Sequence, residues 1–228
     1  GLIAENLENV RSRMASAMAR AGRVDTVTLV AVTKNHPVED MIEAASCGVT
    51  DVGENRVKEG TDKQKAFPDN KLKWHLIGHL QTNKVKQAVA HFDLIHSVDS
   101  QHLLAAIDKE AEKIGKVQDI LLQVNVAREE SKTGAAVEEF PELCCLAKEA
   151  QHVRVCGFMC MAPNFENVEE TRPVFRIAKA LYDDMKGKFP DGQVRYLSMG
   201  MTHDFEIAIE EGANIVRVGT AIFGPRNY

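Results

Sequence analysis

With 228 residues, 44% of them hydrophobic, the chain can bury a substantial core, as one barrel-sized domain or two small ones. A formal net charge of -5 supplies no basic field, which argues against nucleic acid and acidic lipid as partners. No apolar stretch approaches the roughly 20 residues that cross a bilayer, and the opening GLIAENLEN is acidic where a signal peptide is basic, so a cytoplasmic protein is expected.

Along the chain, Leu2, Ile3, Leu7, Val10, Met14 and Met18 predict an amphipathic helix over residues 2–21. The run VTLVAVTK (27–34) predicts a first strand, and VEDMIEAASCG a helix closed by Gly48. Strands follow at TDVGEN (50–55), KWHLIGH (73–79) and LIHSVD (94–99), then the helix QHLLAAIDKEAEKIG, closed by Gly115. Further strands are predicted at ILLQVNV (120–126), VCGFMCM (155–161), YLSMG (196–200) and IVRVGTAIFG (215–224). His75 reads as a satisfied strand histidine. The five cysteines, Cys47, Cys144, Cys145, Cys156 and Cys160, lack the spacing of a zinc site and read as reduced thiols. Cys156 and Cys160, four apart in a strand, are expected on one face and too far apart for an easy disulfide.

Strands alternating with helices, with no low-complexity linker, predict an α/β fold: a single (β/α)8 TIM barrel over residues 1–228 with an extra N-terminal helix. Its strand C-termini would gather Lys34, Asn55, Gly78, Asp99, Asn125, Met161, Gly200 and Gly219 at one mouth. A lysine there is partly desolvated, which lowers its pKa and makes its amine a nucleophile toward aldehydes; the bland alternative is a solvent-reaching strand end. Backbone N–H groups at Gly219–Thr220 can cradle a phosphate. In SMGMTHDFEIAI, Ser198, Gly200 and Thr202 precede a helix whose positive end favours an anion, although such turns are also ordinary caps. The lysine together with two phosphate-type tips carries the reading.

The segments AVTKNHP, GENRVKEG, WHLIGHLQTNK, SKTG, GFMCMAP, LSMGMTHDFEIAI and VRVGTAIFG, in this order over nearly the whole chain, resemble the pyridoxal 5′-phosphate (PLP) homeostasis protein family. The resemblance implies a barrel similar to the N-terminal domain of alanine racemase, with PLP held as a Schiff base, an aldimine, on Lys34. It further implies that Ser198, Thr202, Gly219 and Thr220 hold the phosphate. Arg217 takes the position that faces the pyridine nitrogen in the related racemases, where a permanent cation weakens the ring as an electron sink. Gly219 lies two residues on, so Arg217 could equally meet the phosphate. Asn35–His36 stands where many members carry a threonine or glycine and a basic residue, and Thr202 where serine is commoner.

Asn55 is read as a cofactor contact or an N-cap, and Met199 and Met201, flanking Gly200, as ring-packing or core-filling groups. Lys84 and Lys132 are read as secondary acceptors of PLP or as solvated surface. Two functional classes follow. One is an amino-acid racemase or decarboxylase; the other is a monomeric PLP carrier that buffers the cofactor or supplies it to apo PLP-dependent enzymes. A barrel enzyme acting on a sugar-phosphate aldehyde through Lys34 is a third reading. Racemisation in alanine racemase uses a second base, a tyrosine associated with an additional domain. Of Tyr182, Tyr196 and Tyr228 only the last is expected near the mouth, which favours the carrier.

Overall fold

Ile3, Leu7, Val10, Met14 and Ala17 recur at helical spacing and form the buried face of helix α1 (Leu2–Arg20). The computed structural model describes residues 1–130 and 133–225. After α1 the chain alternates: β1 (Thr28–Val32), α2 (Val38–Ser46), β2 (Asp51–Glu54), α3 (Val57–Ala66), β3 (Lys73–Leu76), α4 (Val85–His91), β4 (Leu94–Val98) and α5 (Gln101–Lys113). There follow β5 (Gln118–Asn125), β6 (Ala135–Ala136), α6 (Phe140–Glu149), β7 (Val153–Met159), α7 (Thr171–Lys186), β8 (Tyr196–Ser198), α8 (Phe205–Glu210), β9 (Ile215–Val218) and α9 (Thr220–Phe223). Ser100 caps α5 by accepting from Leu103 N at 3.1 Å, and Gly115 closes it at φ 65°.

The strands run in the order β4-β3-β2-β1-β9-β8-β7-β5, and pairing of β4 with β5 closes them into an eight-stranded parallel barrel. The predicted (β/α)8 barrel is therefore what the chain forms. The short β6 extends the end of β5 through Val124↔Ala135 and Asn125↔Ala136, an element the periodicity did not reveal. A parallel barrel must be covered on its outer face, and a large apolar layer lies between strands and helices. Inside, Val30, Leu94, Leu121, Cys156, Met159 and Ile215 form a small separate cluster. The rest of the interior is polar and buried, with His75, His96, Gln123, Ser198 and Arg217.

Two expectations are corrected. The candidate strand 215–224 ends at Val218, and its second half is α9, because a short apolar run such as TAIF fits either state until packing decides. Cys156 and Cys160 do not share a face: Cys156 packs in the interior cluster and Cys160 in the outer layer. A register shift against β5 between Ile120 and Leu121 reverses the alternation. Gly157 sits at this bulge because a Cβ there would lie 1.8 Å from Tyr196 O. The five cysteines are free.

Helix α1 seals the last βα unit. Asn6 donates to Ile222 O at 2.9 Å, Arg13 pairs with Glu206 at 2.6 Å, and Arg23 donates to Ile209 O and Ala213 O at 2.7 and 2.8 Å. No helix among the described residues is long and apolar enough to cross a membrane.

Candidate functional site

Strand C-termini and the loops after them enclose a cavity of about 710 Å3, within the size range of small-molecule sites. Lys34, Asn55, Gly78, Asn125, Met161 and Gly219 line it, as expected of strand tips. Asp99 instead accepts from Gly134 N at 3.0 Å and borders a smaller cleft. Gly200 is packed inside its turn: at φ 101°, a Cβ would lie 2.7 Å from that of Ala208, so only glycine fits.

Lys34 is half-buried and lies in the turn beyond β1 rather than in the strand. That turn is held from below. Side chains alternate along β1, so Val30 and Val32 face the barrel interior and Thr33 faces α3. Lys63 of α3 donates to Thr33 O at 2.6 Å, to Glu54 Oε2 at 2.8 Å and to Glu59 Oε2 at 2.8 Å. Thr33 Oγ1 donates to the same Glu54 oxygen. Glu59 Oε2 also accepts from Asn35 N at 2.7 Å, which fixes Asn35 in the left-handed region at φ 62°. Glu54 is fully buried, and burial outweighs Lys63 in pushing its carboxyl up to about 7. Residues on either side of Lys34 are thus anchored to α3.

Arg217 forms the opposite floor of the cavity and is 2% exposed. Its Nη1 donates to Ser198 Oγ and its Nη2 to Cys160 O at 3.2 Å. Among the described residues no carboxylate pairs with it. Burial therefore works against its charge and pulls its pKa down. A buried, hydrogen-bonded cation that no carboxylate touches, with Asp204 acting on it only from beyond ion-pair contact, is suited to receive an anion or a lone pair at the cavity wall.

Above it, Thr202, Gly219 and Thr220 line the same cavity, and Thr202 Oγ1 accepts from Ala221 N at 3.4 Å, joining the two strand tips. Helix α8 starts only at Phe205, and its first-turn neighbour Asp204 already accepts from Met201 N at 2.8 Å. Burial raises the Asp204 carboxyl. Thr202, Gly219 and Thr220 thus meet at one side of the cavity.

The side chains of Ser198 and Met199 do not line the cavity. Ser198 lies beneath Arg217 and also bonds His96 Nδ1 at 3.0 Å, and Met199 fills the outer core, whereas Met201 reaches the cavity. Asn55 is not the cap of α3; that position is Arg56, without a side-chain cap bond. Lys84 is exposed in a 3-10 turn outside the cavity. Lys132 and Tyr228 lie outside the described residues. Sequence reasoning missed His36, His79 and His203, which line the mouth from loops of no distinctive pattern, and also Lys63, whose signal was merely a lysine in a helix.

The match to known proteins accords with this geometry. The family model for the alanine racemase N-terminal domain matches residues 5–227. The pyridoxal phosphate homeostasis protein of Aquifex aeolicus is 44% identical over 225 residues, covering 98% of each chain. PipY of Synechococcus elongatus, solved with PLP bound, superposes with a TM-score of 0.83 at 37% identity, over 97% of this chain and 100% of PipY. An alanine racemase of Clostridium difficile shares the fold, with a TM-score of 0.77 at 14% identity, over 98% of this chain and 59% of the racemase. A barrel whose floor arginine and mouth lysine share one cavity, related over its length to these proteins, belongs to the pyridoxal phosphate homeostasis protein family.

Proposed function

We propose that the protein binds PLP in the barrel mouth, held covalently through Lys34, and serves vitamin B6 homeostasis by buffering the cofactor or supplying it to apo PLP-dependent enzymes. The observation that carries this is one cavity flanked by Lys34 and by the buried Arg217, which among the described residues no carboxylate touches. When bound, PLP supplies an aldehyde that condenses with an amine with loss of one water, giving a Schiff base. The residues present fit such a group. Lys34 is presented by a turn anchored on both sides, and Arg217 would offer its donors to the ring nitrogen or to the phosphate. The backbones of Thr202, Gly219 and Thr220 offer donors to a phosphate. Asn55 borders the ring space. PipY, which shares the family, was solved with PLP bound, and that supports the assignment.

Carriage rather than amino-acid turnover is favoured by the homeostasis name borne by relatives that this chain matches end to end. Tyr182 packs against Phe158 on the outer face, and Tyr196 lies at the opposite end of the barrel between Lys73 and Arg195; neither lines the cavity. Arg217 at the ring nitrogen would also oppose its protonation and weaken the electron sink. The test is a visible absorption band after loading with PLP, fixed by borohydride and mapped by peptide mass to Lys34. Lys34→Ala abolishes the band while the fold is kept. Fixation mainly on another lysine would overturn the assignment. Incubation with each enantiomer of alanine and serine is expected to show no racemisation or α-proton exchange at about one turnover per second, the low end of ordinary enzymes.

A further inference from the structure

Below Arg217 the barrel interior holds a continuous line of polar groups drawn from four strands. Ser198 Oγ meets His96 Nδ1 at 3.0 Å, His96 Nε2 meets His75 Nδ1 at 2.8 Å, and His75 Nε2 meets Asp51 Oδ2 at 2.7 Å. Thr50 Oγ1 donates to the other Asp51 oxygen at 2.7 Å. Ser198, His96 and His75 are sealed from solvent, whereas Asp51 opens slightly and Thr50 is exposed at the far end of the barrel.

The direction of every bond in this line is set by its two ends. A guanidinium only donates, so Ser198 Oγ accepts from Arg217 and must send its own hydrogen to His96 Nδ1. His96 is then protonated at Nε2 and donates to His75 Nδ1. His75 in turn is protonated at Nε2 and donates to the Asp51 carboxylate, which only accepts. Both imidazoles are satisfied when neutral, and each as the same tautomer. A proton added to the pair reverses this order: His75 would donate to both Asp51 and His96, and His96 would donate to Ser198. The serine oxygen would then face two donors, its own hydrogen stranded in a buried site.

We propose that Asp51, His75, His96 and Ser198 are positioning residues, a one-directional chain of hydrogen bonds that fixes the Arg217 guanidinium at the cavity floor and transmits its orientation from the far end of the barrel. Neighbouring charges support the neutral pair. Burial is the largest influence lowering both histidines. His96 also faces the cations Arg217 and Lys73, and His75 faces Lys73, with Asp51 and Asp93 opposing. Around Arg217 the remaining titratable groups are Cys160 and Asp204.

The consequence for cofactor binding rests on the PLP reading above, whereas the tautomers do not, and the two are measured separately. Long-range proton–nitrogen correlation spectra of the histidine-labelled protein should show two of its eight imidazoles, His75 and His96, as neutral Nε2–H forms at neutral pH. A charged imidazole, or an Nδ1–H form, at His75 or His96 would overturn the chain. His75→Leu breaks the line and should release the slowly exchanging Arg217 guanidinium signals and weaken PLP retention about tenfold. His75→Gln, which again offers one acceptor and one donor, should restore both. Unchanged Arg217 signals in a folded His75→Leu protein would overturn the proposal. Should that variant not fold, the wild-type tautomers decide. If wild-type protein takes up no PLP at all, the cofactor reading fails while the tautomer result still stands or falls alone.

Discussion

Arg217 illustrates how a single side chain is governed by its surroundings. Buried without a carboxylate in contact, it keeps its charge through Ser198 Oγ, Cys160 O, the more distant Asp204 and whatever occupies the cavity. Arg217→Gln removes the charge and at least one donor. Charged hydrogen bonds contribute about 1.5–3 kcal/mol each, so PLP retention should fall by about tenfold or more, read as a dissociation constant in a spectral titration. Comparing PLP with pyridoxal in wild type and variant locates the contact. If Arg217 serves the ring nitrogen, the substitution weakens both ligands alike, whereas a phosphate contact would weaken PLP alone. Unaltered affinity for both would remove Arg217 from the site.

At the scale of elements, α3 holds the β1 turn through one buried lysine. Lys63 satisfies the Thr33 carbonyl and draws together Glu54 and Glu59, and Glu59 in turn pins the amide of Asn35. Removing one partner from a buried pair leaves the other charge uncompensated, at a cost of about 3–5 kcal/mol. Lys63→Met should therefore destabilise the protein by that amount in urea unfolding. Lys63→Met combined with Glu54→Gln should recover part of the loss, since the fully buried carboxylate is then no longer stranded and only the less buried Glu59 lacks its partner. Strict additivity of the two substitutions would show that the pair is not coupled. Because the same helix presents Lys34, the single variant should also slow formation of the borohydride-fixed product.

For the whole molecule, buried titratable groups set the response of stability to pH. His75 and His96 have folded pKa values below their ordinary 6.5. Their contribution is fully present above about pH 6.5 and is lost as pH falls toward the folded values, by up to about 1.4 kcal/mol per pH unit for each. Glu54 acts in the opposite sense. Its carboxyl is raised from 4.5 to about 7, so its contribution is present below about pH 4.5 and lost as pH rises through about 7. Thermal melts between about pH 5 and pH 8 should show Glu54→Gln gaining on wild type as pH rises, and wild type losing stability toward acid. A difference between the two proteins that does not vary with pH would mean that Glu54 ionises at its ordinary value.

Strand–helix alternation, the amphipathic face of α1 and the placement of Lys34 at the barrel mouth were legible in the sequence, since each depends on periodicity within a few residues, although Lys34 lies in the turn past β1 and not in the strand itself. Closure into a parallel barrel followed from the number of strands, and the meeting of Thr202, Gly219 and Thr220 at the cavity from their places at strand ends. Boundaries were less legible: TAIF reads as strand or helix, and the bulge at Gly157 moves Cys160 to the other side of the wall. What holds the site was decided by tertiary structure alone. Lys63 looks like any helix lysine until β1 and β2 pack beside it, and His75 like any strand histidine. The partners His96 and Ser198 are 102 residues apart. Inward-facing polar groups on separate strands meet only when the barrel closes, and the absence of water inside then forces each to find a hydrogen-bonding partner there.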